Sequence, residues 1–255
     1  MNRPAEISGI AGSTVLVTGA SGGLGEALCE MLAANGALVA AGARRADKVE
    51  ELVARIHARG GQACACPMDV TDEQSVAAAW DVAERELGPV SGVIANAGIT
   101  IDGLALDLSP ASFRTVIDTN LTGVFLTLRE GARRMVGRRA EGRMIAIASV
   151  LADKVVPGIA PYAASKAAVV QLVRALALEW AARGISVNAI SPGYIRTDIN
   201  QAFMDSRAGE RFVAGFPRQR LLQPTDILPL AQLLLSDAAR TITGRNFVVD
   251  DGQTL

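Results

Sequence analysis

Seven short apolar runs, separated by segments with helical spacing, constrain the fold of this chain more than any other feature. They read TVLVTG, ALVAAG, ACACPMDV, SGVIANAG, RMIAIAS, ISVNAISPG and NFVVDDG. Runs that are apolar on both faces are typical of parallel strands covered by helices on each side. Because crossover connections are right-handed, the simplest topology is a doubly wound sheet. The sequence therefore predicts a single α/β domain over residues 1–255 with a seven-stranded parallel sheet.

A balanced charge and the lack of long apolar segments limit the partners of the chain. The 25 Lys and Arg residues offset 26 Asp and Glu residues, so no net field favours nucleic acid or an anionic membrane surface. The opening MNRPAEISGI lacks the basic start and apolar stretch of a secretory signal, and no apolar run reaches the roughly 18 residues of a membrane span. We therefore expect a cytoplasmic protein that binds a small-molecule substrate and binds neither nucleic acid nor a membrane.

One predicted helix, over residues 163–183, is apolar almost all the way round. Its apolar side chains are Val169, Val170, Leu172, Val173, Leu176, Leu178 and Trp180. A helix of this kind must be covered on two sides, by its own sheet and by a partner subunit. We therefore expect at least a homodimer.

A glycine-rich turn follows the first predicted strand, in VLVTGASGGLGEAL. Its glycines are Gly19, Gly22, Gly23 and Gly25, and helical spacing resumes directly afterwards. Glycine lets the backbone approach a pyrophosphate without a Cβ clash, and the helix N-terminus offers free N–H groups and a partial positive charge. Strand, glycine turn and helix occur here in the order of the dinucleotide-binding fingerprint. The sequence therefore predicts a Rossmann-type cofactor site.

Several motifs in order resemble those of the short-chain dehydrogenase/reductase family over nearly the whole chain. Thr18, Gly19, Gly23 and Gly25 match its TGxxxGxG turn. The other matches are Asp69 in MDV, NAG at Asn96, Ala97 and Gly98, Asn120, Ser149, YAASK with Tyr162 and Lys166, and PGYIRT from Pro192. The resemblance, closest to the 3-oxoacyl-reductase-like branch, implies an NAD(P)-dependent short-chain alcohol dehydrogenase or ketoreductase. Members of the family usually assemble as homotetramers.

The resemblance also implies which residues contact the cofactor. They are Gly19, Ser21, Gly22, Gly23, Leu24 and Gly25 in the turn, Asp69 and Val70 near the adenine, and Asn96, Ala97 and Gly98 along the ribose and fourth strand. Tyr162 and Lys166 adjoin the nicotinamide ribose, and the segment near the carboxamide contributes Pro192, Gly193, Ile195 and Thr197. Thr18 is expected to brace the NAG strand instead. Asp69 has an alternative role as a turn former before Thr71.

The residues after the second strand indicate which nicotinamide cofactor is preferred. An acidic residue there binds the ribose 2′-hydroxyl of NAD, whereas an arginine accommodates the 2′-phosphate of NADP. This chain has Ala43, Arg44 and Arg45, and Ser21 could add a hydroxyl contact. The sequence therefore favours NADP(H), with NAD(H) possible because the glycine turn has Gly22 where many NADP(H)-dependent relatives carry a basic residue. Alternatively, the two arginines are only a solvated helix entrance.

Four residues carry the predicted chemistry. Tyr162 and Lys166 are four apart and so share one helix face, where a fixed ammonium lowers the high pKa of a phenol and allows general acid–base catalysis. The resemblance implies that Ser149 polarises the substrate carbonyl. It also implies that Asn120 holds a water linking Lys166 to solvent, although the asparagine could be a satisfied core polar group. A serine-nucleophile triad is not indicated, because the one histidine, His57, lies on an early amphipathic helix.

Substrate specificity is expected from the loop at about 194–220, after the sixth strand. Its apolar residues, with those following Ser149, favour an apolar or partly apolar ketone or alcohol, although they could only close the lid: Phe203, Met204, Phe212, Val213, Phe216, Leu151, Val155 and Val156.

Two alternative functions remain open at this point. A 3-oxoacyl-thioester reductase, acting on an acyl-carrier-protein or CoA thioester, is suggested by a set of arginines where such relatives dock their substrate: Arg133, Arg134, Arg138, Arg139, Arg143 and Arg183. A non-catalytic nicotinamide-binding protein is the lower alternative, since fold alone does not establish function. No metal site is predicted, because Cys29, Cys64 and Cys66 lack metal-ligand company and are expected to be small buried apolar residues.

Overall fold

The computed structural model describes residues 10–196 and 201–255 of the chain. All seven predicted strands form, and they pair in parallel in the order β3-β2-β1-β4-β5-β6-β7. Their bounds are β1 Thr14–Thr18, β2 Leu38–Ala43, β3 Gln62–Pro67, β4 Val90–Ala95, β5 Gly142–Ile147, β6 Ile185–Pro192 and β7 Asn246–Val249. The predicted doubly wound, seven-stranded parallel sheet of Rossmann type is therefore confirmed.

Helices connect these strands in the described part of the chain. They are α1 Gly23–Ala34, α2 Ala46–Ala58, α3 Glu73–Leu87, α4 Pro110–Ile117, α5 Gly123–Arg138, α6 Ala160–Trp180, α7 Gln201–Met204, α8 Arg207–Ala214 and α9 Leu228–Leu235. A π-helical segment, Asp118–Thr122, joins α4 to α5. Among the described residues, no helix is both long and apolar enough to cross a membrane.

The core has two halves, one on each face of the sheet. One half contains Trp80 of α3, Met135 of α5 and Val173 of α6. The other contains Leu28 of α1 and Leu52 of α2, together with residues of α9. Because both faces are covered, the residues of the five inner strands are almost all buried, which explains why these strands read as continuous apolar runs, whereas the edge strands β3 and β7 are more exposed.

The order of the strands fixes where a ligand can bind. The chain moves outward from β1 to β3 on one side and then returns to add β4 on the other side of β1. The crevice between the carboxyl ends of β1 and β4 is thus the switch point at which doubly wound sheets bind ligands. The glycine turn follows β1, and Asn96 follows β4, so both predicted motifs lie at this crevice.

The cysteines and the histidine lie apart from this crevice. Cys29 and Cys66 are buried as expected, whereas Cys64 is half-buried with its Sγ 3.6 Å from that of Cys66. His57 is exposed on α2 and its Nε2 is 2.9 Å from the carbonyl oxygen of Ala63. Within residues 10–196 and 201–255, no group of three or more His, Cys, Asp or Glu side chains is placed to hold a metal ion.

Candidate active site

The glycine turn forms an open cradle at the N-terminus of α1. Gly19 and Gly23 have φ angles of 71° and 56°, in the left-handed region that glycine adopts without strain. A Cβ at Gly25 would collide with the carbonyl oxygen of Gly19. Gly22 begins the helix without a side-chain cap, so the first N–H groups of α1 are available to an anion. These features fit the pyrophosphate of a dinucleotide cofactor.

Thr18 ties the glycine turn to the NAG segment. Its Oγ1 accepts hydrogen bonds from the backbone N–H groups of Asn96 and Ala97, both at 3.0 Å. In return, Nδ2 of Asn96 donates to the carbonyl oxygen of Thr18 at 3.0 Å. Thr18 is 1% exposed, so these bonds satisfy groups that have no access to water. The expected bracing contact between Thr18 and the NAG strand is therefore present.

Arg45 reaches back from the start of α2 to the glycine turn. Its Nη2 donates to the carbonyl oxygen and the Oγ of Ser21 at 2.9 and 3.1 Å, and its Nε donates to the same Oγ at 3.2 Å. Arg44 is exposed on the other side, and its charge contributes to a lowered pKa of Asp69. The two guanidinium groups therefore lie on either side of the end of β2, beside Ala43, and form a positively charged rim.

Asp69 is held within its own turn. Its Oδ1 accepts hydrogen bonds from the backbone N–H and the hydroxyl of Thr71, at 2.9 and 2.8 Å. The backbone hydrogen bond from Thr71 is the main cause of the lowered pKa of Asp69. This geometry agrees with the turn-forming alternative for Asp69, and its predicted contact with adenine stays a prediction. Val70 is buried and packs closely on Gly123, where a Cβ would be 2.7 Å from Cγ2 of Val70.

Ser149, Tyr162 and Lys166 come together at the carboxyl end of β5. Ser149 begins a short 3-10 helix, and its Oγ accepts from the N–H of Leu151 at 3.1 Å, which leaves its hydroxyl hydrogen to be donated elsewhere. Tyr162 lies in the first turn of α6, with Nζ of Lys166 5.6 Å from its ring centroid. That Nζ donates to the carbonyl oxygen of Ile147 at 2.8 Å.

The NAG segment lies against the same lysine. An added Cβ at Gly98 would be 3.5 Å from Nζ of Lys166 and 3.4 Å from Oδ1 of Asn120. The fold therefore brings together segments that follow β1, β4 and β5, together with the start of α6. The remaining predicted contacts lie nearby or at the next strand end. Leu24 packs on the second half of the core, Pro192 ends β6, Ile195 is buried, and Thr197 lies outside the described residues.

Burial dominates the ionisation of both titratable groups at this site. Burial lowers the pKa of Lys166 to about 8, because a desolvated ammonium loses its hydration. Burial likewise raises the pKa of Tyr162, and the hydrogen bond with Ser149 offsets only part of that rise. The prediction of a lowered pKa for Tyr162 is therefore wrong for this structure. The physical reason is that desolvation of the phenolate is the largest effect, and the ammonium binds Ile147 instead of the phenol oxygen.

Asn120 is fully buried and hydrogen-bonded at both ends of its side chain. Its Oδ1 accepts from the N–H of Ile99 at 2.8 Å, while its Nδ2 donates to the carbonyl oxygen of Ile99 at 2.9 Å and to Oγ of Ser165 at 3.0 Å. Ser165 in turn donates to the carbonyl oxygen of Tyr162 at 2.7 Å. Asn120 thus links the NAG segment to the first turn of α6. Its role in a proton relay stays a prediction.

Sequence reasoning named Ser165 only as a letter of the YAASK string, although the structure gives it a definite contact. The signal was its position three residues after Tyr162, which places the hydroxyl within reach of that residue's carbonyl on a helix. Sequence reasoning does not identify Gln253, because its contact is with a residue 59 positions away. Oε1 of Gln253 accepts a hydrogen bond from the backbone N–H of Tyr194. No local pattern reports a contact of that separation.

The loop after β6 contains an aromatic cluster. The ring centroid of Tyr194 is 4.9 Å from that of Phe212 and 5.5 Å from that of Phe216, and Phe203 is 5.9 Å from Phe212. Met204 and Phe216 are buried, whereas Phe203 is 47% exposed. Some of the apolar side chains predicted to line the substrate site therefore pack into the protein, as expected if they only close the loop over it. Others remain accessible to a substrate.

The arginine set expected at a thioester docking site is largely neutralised within the chain. Arg134 binds carboxylates of Asp81, Glu84 and Glu130 at 2.7–2.9 Å. Arg138 also pairs with Glu84, and Arg143 is buried at the amino end of β5, away from Ser149. Arg133 is 3.6 Å from Glu73. Only Arg139 and Arg183 of the six are exposed without an ion pair shown among the described residues.

Comparisons with known proteins match this geometry to one family. Residues 13–208 match the family described as short chain dehydrogenase. The chain is 37% identical over 240 residues to the 3-oxoacyl-(acyl-carrier-protein) reductase of Staphylococcus aureus, covering 94% of this chain and 97% of that protein. The matched region contains the glycine cradle and the Ser149, Tyr162 and Lys166 cluster.

Solved structures extend the similarity to nearly the whole chain. One, described as an NAD(P)-dependent gluconate 5-dehydrogenase from Beutenbergia cavernae with bound NADP, has a TM-score of 0.91 at 36% identity and covers 97% of this chain and 99% of that one. A 7α-hydroxysteroid dehydrogenase complexed with NADH and 7-oxo glycochenodeoxycholic acid has a TM-score of 0.92 at 32% identity, covering 99% and 98%. Of these two solved structures, the first contains NADP and the second contains NADH.

Replacing Thr18 with valine tests the link between the glycine turn and the NAG segment. The methyl group cannot accept hydrogen bonds, so the N–H groups of Asn96 and Ala97 become unpaired in a buried position, at about 1–3 kcal/mol each. We expect a lower midpoint in thermal unfolding and, by fluorescence titration, an NADPH affinity reduced by about tenfold. Thr18→Ser retains the acceptor and should bind NADPH within about threefold of the wild type; equal losses in both variants would contradict the role of the hydroxyl.

The buried ammonium of Lys166 should make stability depend on pH. Between its native pKa of about 8 and the ordinary value of 10.5, the unfolded chain binds more protons than the native chain, so stability rises with pH. The expected gain from pH 8 to 10 is about 2 kcal/mol in the free energy of unfolding, measured with urea. Lys166→Met cannot titrate and should lack this rise. Parallel pH profiles for the two proteins would show that the ammonium is not destabilised by burial.

Proposed function

The chain belongs to the short-chain dehydrogenase family, and from this premise we propose that it is an NADP(H)-dependent oxidoreductase that interconverts a ketone and a secondary alcohol. The observation that carries the proposal is that Ser149 is hydrogen-bonded to Tyr162, whose ring lies beside a buried lysine that adjoins the NAG segment. That arrangement supplies a hydrogen-bond donor and a proton donor for one oxygen atom, which is what carbonyl reduction needs. The full set of side chains argues against a non-catalytic role.

Each side chain has a role in the proposed reaction. The nicotinamide, when bound, supplies or accepts the hydride at the carbon atom. Ser149, whose Oγ accepts from the N–H of Leu151, donates its hydroxyl hydrogen to the carbonyl oxygen of the substrate. Tyr162 transfers its phenolic proton to that oxygen as the carbon–oxygen double bond becomes single, and it accepts the proton again when an alcohol is oxidised. Lys166 keeps a positive charge close to the resulting phenolate below its own pKa of about 8.

The cofactor preference follows from the rim beside the adenosine position. The rim has two guanidinium groups and no carboxylate at position 43, and Ala43 is buried at the end of β2. A 2′-phosphate is a dianion that such a rim attracts, and Arg45 with Ser21 already forms part of a preorganised set of donors. NADP(H) is therefore the preferred cofactor of the proposal, with NAD(H) as a weaker alternative.

The aromatic cluster after β6 favours an apolar ketone or alcohol as substrate. Tyr194 and Phe212 pack edge to face in the loop that follows β6, and rings of this kind bind apolar and aryl groups. The similarity to a hydroxysteroid dehydrogenase is consistent with an apolar substrate. The paired arginines give a thioester reductase no support beyond the similarity to one.

We also propose that the protein is a cytoplasmic homotetramer. The support lies in α6, which buries Val169 and Val173 against the sheet but leaves Leu178 83% exposed on its outer side. An apolar groove of about 350 Å³ beside this helix is lined by Leu151, Ala152, Val155, Val156, Ala160, Ala163, Ala164 and Ala167. A second copy of the chain would cover these residues.

Replacement of Tyr162 tests the proposed chemistry. The wild type is first assayed for nicotinamide absorbance change with NADPH against aryl ketones, cyclic ketones, diketones and an acetoacetyl thioester. Tyr162→Phe removes the proton donor, so we expect kcat below about 1% of the wild type while NADPH still binds within about threefold. Tyr194→Phe, the same change at the other tyrosine, should retain more than a tenth of kcat. Retention of several per cent of kcat by Tyr162→Phe would identify another proton donor.

A double substitution at the rim tests the cofactor preference. Ala43→Asp with Arg44→Ala adds a carboxylate that repels the 2′-phosphate and removes one guanidinium. We expect the ratio of kcat/KM for NADPH to that for NADH to fall by about 100-fold, since each change is worth at least about 1.4 kcal/mol. Arg139→Ala, a loss of charge at the exposed end of α5, serves as the control. An unchanged ratio in the double variant would remove the basis for NADP(H).

A further inference from the structure

The turn formed by residues 250–254 near the end of the chain, named here the C-terminal turn, contacts both ends of the loop at 194–220. Gln253 is 3% exposed, although glutamine is ordinarily a surface residue. Its Oε1 accepts from the backbone N–H of Tyr194 at 2.6 Å, and its Nε2 donates to the carbonyl oxygen of Arg220 at 3.2 Å. One buried amide therefore spans the first and last residues of the loop.

Asp251 forms two ion pairs with the same end of the loop. Its carboxylate binds Nε of Arg218 at 3.2 Å and Nε of Arg220 at 2.7 Å. Asp251 has a φ of 54°, in the left-handed region that non-glycine residues rarely adopt. A strained residue persists where its surroundings determine it, and here two guanidinium contacts provide that determination.

The C-terminal turn is also in close contact with the end of β6. A Cβ at Gly193 would collide with Oε1 of Gln253 and would lie 2.9 Å from Cα of Asp250. On its other side, the carbonyl oxygen of Gln253 accepts from Nζ of Lys154 at 3.3 Å. Lys154 follows the short helix that begins at Ser149. The turn thus touches the loop and the segment after Ser149 at once.

Beside this Lys154 contact, the C-terminal turn and that segment line a cavity. It has a volume of about 340 Å³ and is lined by Val150, Asp153, Lys154, Val248 and Thr254. Val150, one of the lining residues, directly follows Ser149 in the chain. Any shift of the C-terminal turn would change both this cavity and the position of Tyr194.

Tyr194 is the residue through which such a shift would reach the substrate. Its half-buried ring packs on Phe212 and Phe216, so it belongs to the aromatic cluster. Its phenol is near enough to Tyr162 to influence that group electrostatically. The ring position is set by the Tyr194 backbone, and its N–H has Gln253 as its acceptor.

We propose that Gln253 is a positioning residue that fixes Tyr194 and Arg220, and thereby sets the size of the ketone that the site accepts. The kinetic part of this inference rests on the proposed function, whereas the structural part does not. Gln253 touches neither the reacting atoms nor the nicotinamide in this proposal. It acts through the backbone of Tyr194, so its loss should alter selectivity between substrates more than the rate of the chemical step.

Amide hydrogen exchange of the full-length protein tests the structural part. Gln253→Ala removes the acceptor, so exchange at the Tyr194 amide should be at least tenfold faster than in the wild type. Gln253→Glu keeps an oxygen at that position and should leave exchange at Tyr194 within about threefold. Gln232→Ala, at a half-buried glutamine of α9, controls for a general loss of stability. Unchanged exchange at Tyr194 in Gln253→Ala would overturn the proposal.

Steady-state kinetics with acetophenone and butan-2-one test the kinetic part. For Gln253→Ala we expect kcat/KM to fall at least tenfold for the aryl ketone, mainly through KM, and less than threefold for the small ketone. Gln253→Glu keeps the acceptor for Tyr194 but loses the donor to Arg220, so its aryl-ketone activity should lie between those of the wild type and Gln253→Ala. Equal losses for both ketones, or none despite faster exchange, would overturn the assignment of selectivity. If the wild type reduces no ketone, the proposed function fails, and the exchange result alone decides whether Gln253 positions Tyr194.

Discussion

The hydrogen bonds at Thr18 are the interaction on which the rest of the site depends. They join β1 to β4 at the point where the chain reverses its direction across the sheet. Strands part at a switch point, so backbone groups there would otherwise lose their partners. One hydroxyl and one amide satisfy them, and the same contacts fix the spacing between the glycine cradle and Gly98. Because Gly98 adjoins Lys166, the same contacts also position the glycine cradle relative to this lysine.

A second constraint is the cost of burying the lysine. The Lys166 ammonium has Ile147 as its hydrogen-bond acceptor and no carboxylate partner among the described residues, so burial lowers its pKa. A charge in such a position is retained where chemistry uses it, because an apolar residue there would be more stable. Asn120 donates a hydrogen bond to Ser165, which donates to the carbonyl oxygen of Tyr162. These two bonds hold the first turn of α6 in place beside the charge. The π-helical segment contains Asn120, and such segments are often found at functional sites.

The outer wall of the site is built differently from its floor. The floor consists of strand ends and short helical turns, which are joined by the buried hydrogen bonds of Thr18, Asn120 and Lys166. The wall at Tyr194 is contacted by Gln253, and the far end of its loop at Arg220 is contacted by Asp251; both residues follow the carboxyl end of β7. A wall held by a few long-range contacts can be altered without disturbing the floor.

The sequence by itself determined the strands, their parallel pairing and the glycine turn, because periodicity and glycine placement are local properties of the chain. It also indicated the grouping of Ser149, Tyr162 and Lys166 through motif order. Only the tertiary structure decided that Arg45 binds Ser21, that Arg134 is neutralised, and that Gln253 holds Tyr194. It also reversed the expected direction of the Tyr162 pKa, since desolvation depends on everything packed around a group. Contacts and burial of this kind arise between residues far apart in the chain, and no local pattern encodes them.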